Sequence, residues 1–269
     1  MSNKIAILGS GNIGLSLAKG LIKAGKFKPD HIILTRRNIS ALAEQANAGL
    51  VTTTDNAKAV SEADIIVLAI LPQQLNKLLN EIKPAVDPDK HLFISVVSGV
   101  SCEDIRKQLE LDVQVVRAMP NTAIAIGQSM TCIGTDKASG ESIELVKSLF
   151  DTVGITVQIN EELMTSATAL CACGIAFFLR SIRAASQGGT EIGFHAHDAL
   201  KMAAQTAKGA ADLLLQLSSH PEHEIDKVTS PKGCTIAGLN EMEHHGFSSA
   251  MIKGISLSAQ KAGELYNKE

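Results

Sequence analysis

The N-terminal stretch constrains the fold most strongly, because the apolar run Ile5 to Leu8 meets a glycine-rich turn and then a helical pattern. In the turn Gly9-Ser10-Gly11-Asn12-Ile13-Gly14, the first glycine permits a tight bend and the second lets the backbone approach a pyrophosphate. The third lets the helix pack closely on the strand. Free N–H groups at the helix start bind anionic oxygens. The pattern predicts a dinucleotide site rather than a merely structural turn.

The end of the second predicted strand indicates which dinucleotide binds. An acidic residue about 20 positions after the glycine turn holds the ribose of NAD, whereas arginine there accommodates the extra phosphate of NADP. This chain places Arg36 and Arg37 there, 22 positions beyond Gly14 (36 − 14 = 22), and offers no carboxylate. We therefore predict a preference for NADPH, the alternative being a solvated basic loop.

Length and composition limit the class of protein. A chain of 269 residues suggests about two domains, and 45% apolar with 20% charged residues is ordinary for a globular protein. A net charge of −3 without dense basic blocks predicts neither a nucleic acid nor an anionic membrane as partner. Five scattered cysteines fit a reducing, cytoplasmic compartment. Because Met1 leads almost directly into the first strand, we expect no leader peptide.

One apolar segment requires comparison with a membrane span. Met164 to Leu179 contains no charged residue, but its 16 residues (179 − 164 + 1) are fewer than the roughly 20 that cross a bilayer. Its many small residues permit close helix approach, and Arg180 and Arg183 end the apolar run. We predict a buried helix in a core or a subunit interface.

The first half of the chain alternates short strands with helices, which predicts an α/β fold with a Rossmann-type, doubly wound parallel sheet. After Asn160, helical segments rich in Ala, Leu and Met replace the strands, so we expect a dinucleotide-binding domain over 1–160 and an all-helical domain over 161–269. Predicted strands are Lys4 to Leu8, His31 to Thr35, Ile65 to Ile70, Leu92 to Val97, Gln114 to Met119, Ser129 to Ile133 and Ile155 to Ile159.

A second loop, Val228 to Thr235, carries the sequence Val-Thr-Ser-Pro-Lys-Gly-Cys-Thr and precedes a helical pattern. The N–H groups of Gly233, Cys234 and Thr235 would point together at the start of that helix, a geometry that binds an anion. In a chain that already holds a dinucleotide, a second anion site suggests a small substrate with a carboxylate. An ordinary capped helix uses the same residue types.

These segments resemble the pyrroline-5-carboxylate reductase family over essentially the whole chain. The most specific part of the match is Ser-Pro-x-Gly-x-Thr at 230–235. The resemblance implies a dinucleotide-binding domain followed by a helical dimerisation domain, with homodimers that assemble into rings in many members. It also implies reduction of the cyclic imine 1-pyrroline-5-carboxylate to L-proline by NADPH or NADH. The other matching segments are 9–14, 63–64 with 69–73, 98–100, 117–122 with 127–128, and 243–247.

The resemblance also implies site residues. Thr235 is the catalytic candidate, its hydroxyl facing the ring nitrogen as an orienting group, and Glu161 is a substrate-side carboxylate. The other implied substrate-binding residues are Ser230, Gly233 and Cys234. The implied cofactor-binding residues are Ile7, Leu8, Gly9, Ser10, Gly11, Asn12, Ile13, Gly14, Arg36, Arg37, Asn56, Ala69, Ile70, Leu71, Pro72, Ser98 and Asn121.

The chain departs from the family pattern at three places. Ile70-Leu71-Pro72 stands where Val-Lys-Pro is usual, and Lys232 replaces a glycine. Cys171 to Phe177 replaces Ser-Gly-Ser-Gly-Pro-Ala-Tyr, which reshapes a wall near the substrate. These changes leave the reaction type standing and bear on the identity of the substrate. Two other functions stay open: an NADPH-dependent reductase of another small cyclic imine or carbonyl acid, and a non-catalytic NADP-binding sensor. No histidine or cysteine spacing predicts a metal site.

Overall fold

The computed structural model describes residues 4–266. Four of its eight strands are short runs of apolar and β-branched residues with every side chain buried, as expected where a sheet is covered on both faces. The strands are β1 (Ile5–Leu8), β2 (Ile32–Thr35), β3 (Val51–Thr53), β4 (Ile65–Leu68), β5 (Leu92–Ser95), β6 (Gln114–Met119), β7 (Ser129–Gly134) and β8 (Gly154–Gln158).

Helices connect most of these strands and continue alone after β8. The helices are α1 (Asn12–Lys23), α2 (Ala43–Asn47), α3 (Asn56–Ser61), α4 (Leu75–Ile82), α5 (Cys102–Leu109), α6 (Gly140–Phe150), α7 (Met164–Ala167), α8 (Gly174–Glu191), α9 (Ala196–Leu217), α10 (Pro221–Lys227), α11 (Cys234–His244) and α12 (Phe247–Gly263). A π-helical turn, Thr168–Cys173, lies between α7 and α8.

The strands form one sheet in the order β3-β2-β1-β4-β5-β6-β7-β8. The chain order reverses between β1 and β4, which is where ligands bind in doubly wound sheets, beyond the carboxyl ends of the strands. The predicted Rossmann-type fold is confirmed. The prediction of a wholly parallel sheet is wrong at one place, because β7 pairs antiparallel with β6. The intervening residues 120–128 are too few for the crossover that a parallel pair needs.

Alternate residues of each strand face opposite layers of the core. Ile5 and Ile7 pack in a cluster with α1 and α6, whereas Ala6 and Leu8 pack in a second cluster with α3, α4 and α5. A capping box begins α5, since the side chains of Ser101 and Asp104 each accept from the other's backbone N–H. The core thus fixes the strand ends from which the site loops emerge.

The chain divides into two compact units. One contains the residues up to Cys173 and again those from Leu257, and the other contains Gly174–Ser256. The last turns of α12 thus belong to the first unit, where the Tyr266 hydroxyl donates to Asn76 Oδ1 at 2.7 Å. The domain boundary predicted near Asn160 stays a prediction, and the outer ends of the predicted domains, 1–3 and 267–269, lie outside the described residues.

The apolar segment lies within a continuous helical stretch, Glu161–Glu191, formed by a 3₁₀ turn (Glu161–Leu163), α7, the π-helical turn and α8. By length and composition alone this helix of 31 residues could cross a membrane, because it extends beyond the 16 uncharged residues of the apolar segment. Met164 and Ala167 are buried as predicted, but Phe178 and Leu179 are more than half exposed in the single chain. The second half of the helix therefore presents apolar surface outward.

Candidate active site

The glycine turn sits where the first and fourth strands end, and the structure explains two of its glycines. Gly9 has φ +96°, and a Cβ there would lie 2.4 Å from the Ala69 carbonyl oxygen. At Gly14 a Cβ would lie 2.7 Å from the Gly9 carbonyl oxygen and 2.9 Å from Ile7 Cγ2. The predicted roles of Gly9 in the bend and of Gly14 in close packing are confirmed.

Gly11 differs from the other two glycines, because a Cβ there would meet nothing within 4 Å. Packing within the protein therefore does not require a residue without a side chain at position 11. Gly11 is the N-cap of α1, which has no side-chain cap and no acidic residue in its first turn. The Ser10 hydroxyl is buried and has no hydrogen-bond partner among residues 4–266. Open space, an uncapped helix start and an unpaired hydroxyl together fit an anionic group such as a dinucleotide pyrophosphate.

Arg36 emerges from β2 beside this turn. Its guanidinium Nη1 donates to the Ser10 carbonyl at 3.2 Å, while the Thr35 carbonyl accepts from the Ser10 N–H at 3.0 Å. Arg37 is exposed. The structure therefore brings Arg36 to the turn, and both arginines follow the strand end from which the adenosine side of a dinucleotide is recognised.

The remaining predicted cofactor residues lie on loops after neighbouring strands. Ala69 and Ile70 follow β4 and abut Gly9, Leu71 is exposed, and Pro72 begins a 3₁₀ turn. The three polar residues of this remaining group have partners within the protein. Asn56 donates to Glu81 Oε1, and the Ser98 hydroxyl contacts the Met119 sulfur. Asn121 caps the turn Thr122–Ile126 and donates to the Cys171 carbonyl.

Glu161 is held by the first unit. Its Oε1 accepts from Arg117 Nη1 at 2.9 Å and from the Cys102 N–H at 3.2 Å, and the two charged side chains are 18% and 5% exposed. Within the described residues, Glu161 Oε2 forms no hydrogen bond, and Arg117 Nε and Nη2 are buried without partners. Sequence reasoning included Arg117 in a family motif but had no signal for this ion pair, whose members are 44 positions apart.

Cys102, beside this pair, does not behave as a nucleophile. Burial raises the pKa of its thiol to about 11, with the Glu161 charge acting in the same direction. Its sulfur instead donates to the Val115 carbonyl at 3.5 Å. The thiol therefore stays protonated near neutral pH.

The second predicted anion site lies in the helical unit, where α11 begins. Lys232 adopts φ +60°, and the Gly233 N–H donates to the Ser230 carbonyl at 2.9 Å, so a tight turn leads into the helix. A Cβ at Gly233 would lie 2.6 Å from Ser230 Oγ, which explains the glycine. Because the Gly233 N–H is engaged in this turn, Cys234 and Thr235 are the N–H groups left to receive an anion.

The start of α11 carries no side-chain cap and no acidic residue in its first turn. The Thr235 hydroxyl is half-buried and makes no hydrogen bond to any residue that the structure describes. An open helix start with an adjacent free hydroxyl can hold a carboxylate and orient a neighbouring polar atom.

A Rossmann-type sheet with an open glycine turn, followed by a helical unit, is typical of the class of nicotinamide-dependent oxidoreductases. Two family models match: "Pyrroline-5-carboxylate reductase dimerisation" over residues 161–265 and "NADP oxidoreductase coenzyme F420-dependent" over 4–99.

Comparison with individual relatives identifies the family more closely than the two family models do. Pyrroline-5-carboxylate reductase 2 of Dictyostelium discoideum is 48% identical, with 98% of this chain and 93% of the relative aligned. Pyrroline-5-carboxylate reductase 1 of the same organism is 54% identical over 99% of this chain, which spans about half (50%) of that relative's length. The solved pyrroline-5-carboxylate reductase of Coxiella burnetii is 27% identical with a TM-score of 0.91, covering 99% of this chain and 100% of that one.

The chain belongs to the pyrroline-5-carboxylate reductase family. The match of residues 161–265 to a dimerisation domain implies a homodimer.

Proposed function

We propose that this chain reduces 1-pyrroline-5-carboxylate to L-proline with NADPH. The observation that carries the proposal is the occurrence of two open anion cradles in one chain, at Gly11 and at Cys234-Thr235. The names of the full-length relatives support the same substrate. A dinucleotide and a small cyclic carboxylate are the two anions that this reaction brings together.

The substrate side uses backbone and hydroxyl groups. The carboxylate of the imine accepts from the N–H groups of Cys234 and Thr235, helped by the dipole of α11. The Thr235 hydroxyl orients the ring nitrogen by hydrogen bonding. Because an ordinary hydroxyl does not ionise near neutral pH, Thr235 acts as a positioning and hydrogen-bonding group rather than as a titrating acid.

Positioning and electrostatics supply most of the lowering of the barrier. When bound, the reduced nicotinamide supplies a hydride to the imine carbon. The protonated imine is the better hydride acceptor, so a site that favours this cation accelerates the reaction. Glu161 supplies negative charge at the start of the helical stretch, and its ion pair with Arg117 fixes where that charge lies.

NADPH is the proposed cofactor, with NADH as a poorer substitute. The support is Arg36, which the Ser10 carbonyl holds beside the glycine turn, together with Arg37 at the same strand end. The predicted cofactor residues from Ile7 to Gly14 hold the pyrophosphate in this proposal. Loops after β4, β5 and β6 line the rest of the groove.

The proposed assembly is a homodimer that associates into larger rings, in the cytoplasm. Its support is the apolar surface of the helical unit, including Phe178 and Leu179, which a second subunit would cover. All five cysteines are free thiols, which suits a reducing compartment.

The direct test mixes purified protein with NADPH and pyrroline-5-carboxylate and follows the absorbance of the reduced cofactor. We expect oxidation of NADPH, formation of proline, and a higher kcat/KM with NADPH than with NADH. Replacing both Arg36 and Arg37 by alanine should raise the KM for NADPH and so reduce the difference in kcat/KM between NADPH and NADH. A preference for NADH in the unaltered enzyme would contradict the cofactor assignment.

The same assay separates the two alternatives. If NADPH is oxidised only with a six-membered cyclic imine acid or another small carbonyl acid, that compound is the substrate in place of pyrroline-5-carboxylate. Tight NADPH binding without oxidation by any of these compounds would indicate a sensor. The uncapped start of α11 and the free Thr235 hydroxyl support an enzyme over a sensor, because a sensor has no need of a second anion site.

A further inference from the structure

Two thiols, Cys132 and Cys171, lie against each other where β7 meets the π-helical turn. Their sulfur atoms are 3.7 Å apart, although the residues are 39 positions apart in the chain. Cys132 is 6% exposed and belongs to a small apolar cluster with Met119, Met164 and Ala167. Cys171 lies half-buried at the edge of that cluster. One sulfur is thus sheltered and the other can be reached from solvent.

The two thiols differ in reactivity. The hydrogen bond that the two sulfurs share lowers the pKa of the Cys171 thiol to about 7, whereas the same bond and burial raise the pKa of the Cys132 thiol. A thiolate, not a thiol, attacks an oxidant. Because Cys171 is also the more exposed sulfur, it meets an oxidant first, and the buried Cys132 resolves the product.

We propose that Cys132 and Cys171 form a reversible disulfide on exposure to a peroxide-class oxidant, so that the junction of β7 and the π-helical turn is a redox modification site. The Cys171 thiolate attacks one peroxide oxygen, and with a proton this gives a sulfenic acid and one water. The Cys132 sulfur then displaces the second water from the sulfenic acid and forms the S–S bond. Two thiols lose two protons and two electrons, and hydrogen peroxide becomes two waters.

The local backbone can accommodate the bond. A disulfide requires the sulfurs to approach to about 2.05 Å, so they must close a gap of about 1.7 Å. Cys171 lies in the π-helical turn Thr168–Cys173, where the helix holds one residue more than an α-helical turn does. The proposal requires this turn to shift toward the strand by that distance.

The experiment treats the full-length protein with hydrogen peroxide and measures intact mass and tryptic peptides without reduction. We expect a loss of about 2 Da, reversed by dithiothreitol, and a link between peptides 118–137 and 148–180. The second peptide contains both Cys171 and Cys173, so variants decide between them. Cys171→Ser should abolish the link, whereas the matched control Cys173→Ser should retain it.

Cys132→Ala should also abolish the link, and it avoids burying a hydroxyl in the apolar cluster. If this variant folds poorly, Cys171→Ser still tests the proposal. Closing a loop of this size should also raise the Tm of the oxidised protein by several degrees. Retention of the link in Cys171→Ser, a link between subunits, or addition of oxygen without any link would each overturn the proposal. None of these readouts depends on the proposed enzymatic activity.

Discussion

Gly11 offers a substitution that separates cofactor binding from folding. Its backbone angles, φ −86° and ψ −160°, suit alanine, and an added Cβ would meet no protein atom within 4 Å. Alanine is a poorer N-cap than glycine, so Gly11→Ala costs at most about 1 kcal/mol of folding stability. This corresponds to a fall in Tm of about 2–4 °C. The methyl group would instead occupy the space proposed for the pyrophosphate, so we expect at least about a tenfold weaker Kd for NADPH, or about 1.4 kcal/mol.

Gly9→Ala is the matched contrast. Gly9 has φ +96°, and its Cβ would lie 2.4 Å from the Ala69 carbonyl oxygen, a backbone atom that cannot rotate away. Backbone strain and overpacking together cost about 2–6 kcal/mol. We therefore expect Gly9→Ala to lower the Tm by about 4–24 °C, using about 2–4 °C per kcal/mol. It loses stability and cofactor affinity together, whereas Gly11→Ala loses mainly affinity.

Two measurements on each variant make the comparison. Thermal unfolding without cofactor gives the Tm, and the fluorescence of bound NADPH gives its Kd, with no tryptophan in the chain to contribute emission. The reasoning is refuted if Gly11→Ala binds NADPH as tightly as the unaltered protein, or if its Tm falls as far as that of Gly9→Ala.

Three further predictions concern the ion pairs and the substrate site. Glu161→Ala leaves the buried Arg117 charge unpaired, so we expect a loss of about 3–5 kcal/mol, measured by chemical denaturation; an unchanged midpoint would contradict it. Thr235→Ala should lower kcat roughly ten- to a hundredfold while Thr235→Ser retains most of it, and equal steady-state rates would remove Thr235 from the mechanism. Burial alone would raise the pKa of Asp136, but its hydrogen bond and ion pair with Arg106 hold it below the usual 3.8. The stabilisation is therefore present above pH 3.8 and disappears as the pH falls through the lower native value, and Asp136→Asn should flatten the acid side of a Tm-against-pH curve.

Much of the fold could be predicted from local patterns. The strand β6 was predicted at its observed bounds, and the roles of Gly9 and Gly14 followed from the motif alone. The edge strand β3 was missed because it has only three residues, Val51–Thr53, of which none is buried. The antiparallel direction of β7 was also missed, although the short connection before it was visible in the sequence.

Less of the candidate site than of the fold could be predicted from the sequence. Cys132 and Cys171 come together only through the packing of a strand against a distant helix, and no spacing rule links them. The engagement of the Gly233 N–H with Ser230 depends on the positive φ of Lys232, which its residue type does not suggest. Sequence patterns predict local geometry well, whereas long-range pairs depend on tertiary packing.

The contribution of α12 to the first unit affects when that unit can fold during synthesis. Leu265 lies close to Gly99, and Tyr266, just after this helix, packs against the layer that contains α4 and bonds to Asn76, 190 positions earlier in the chain. During synthesis the first unit is therefore complete only after the segment from Leu257 to Tyr266 has left the ribosome. Until then its incomplete apolar layer remains available to chaperones.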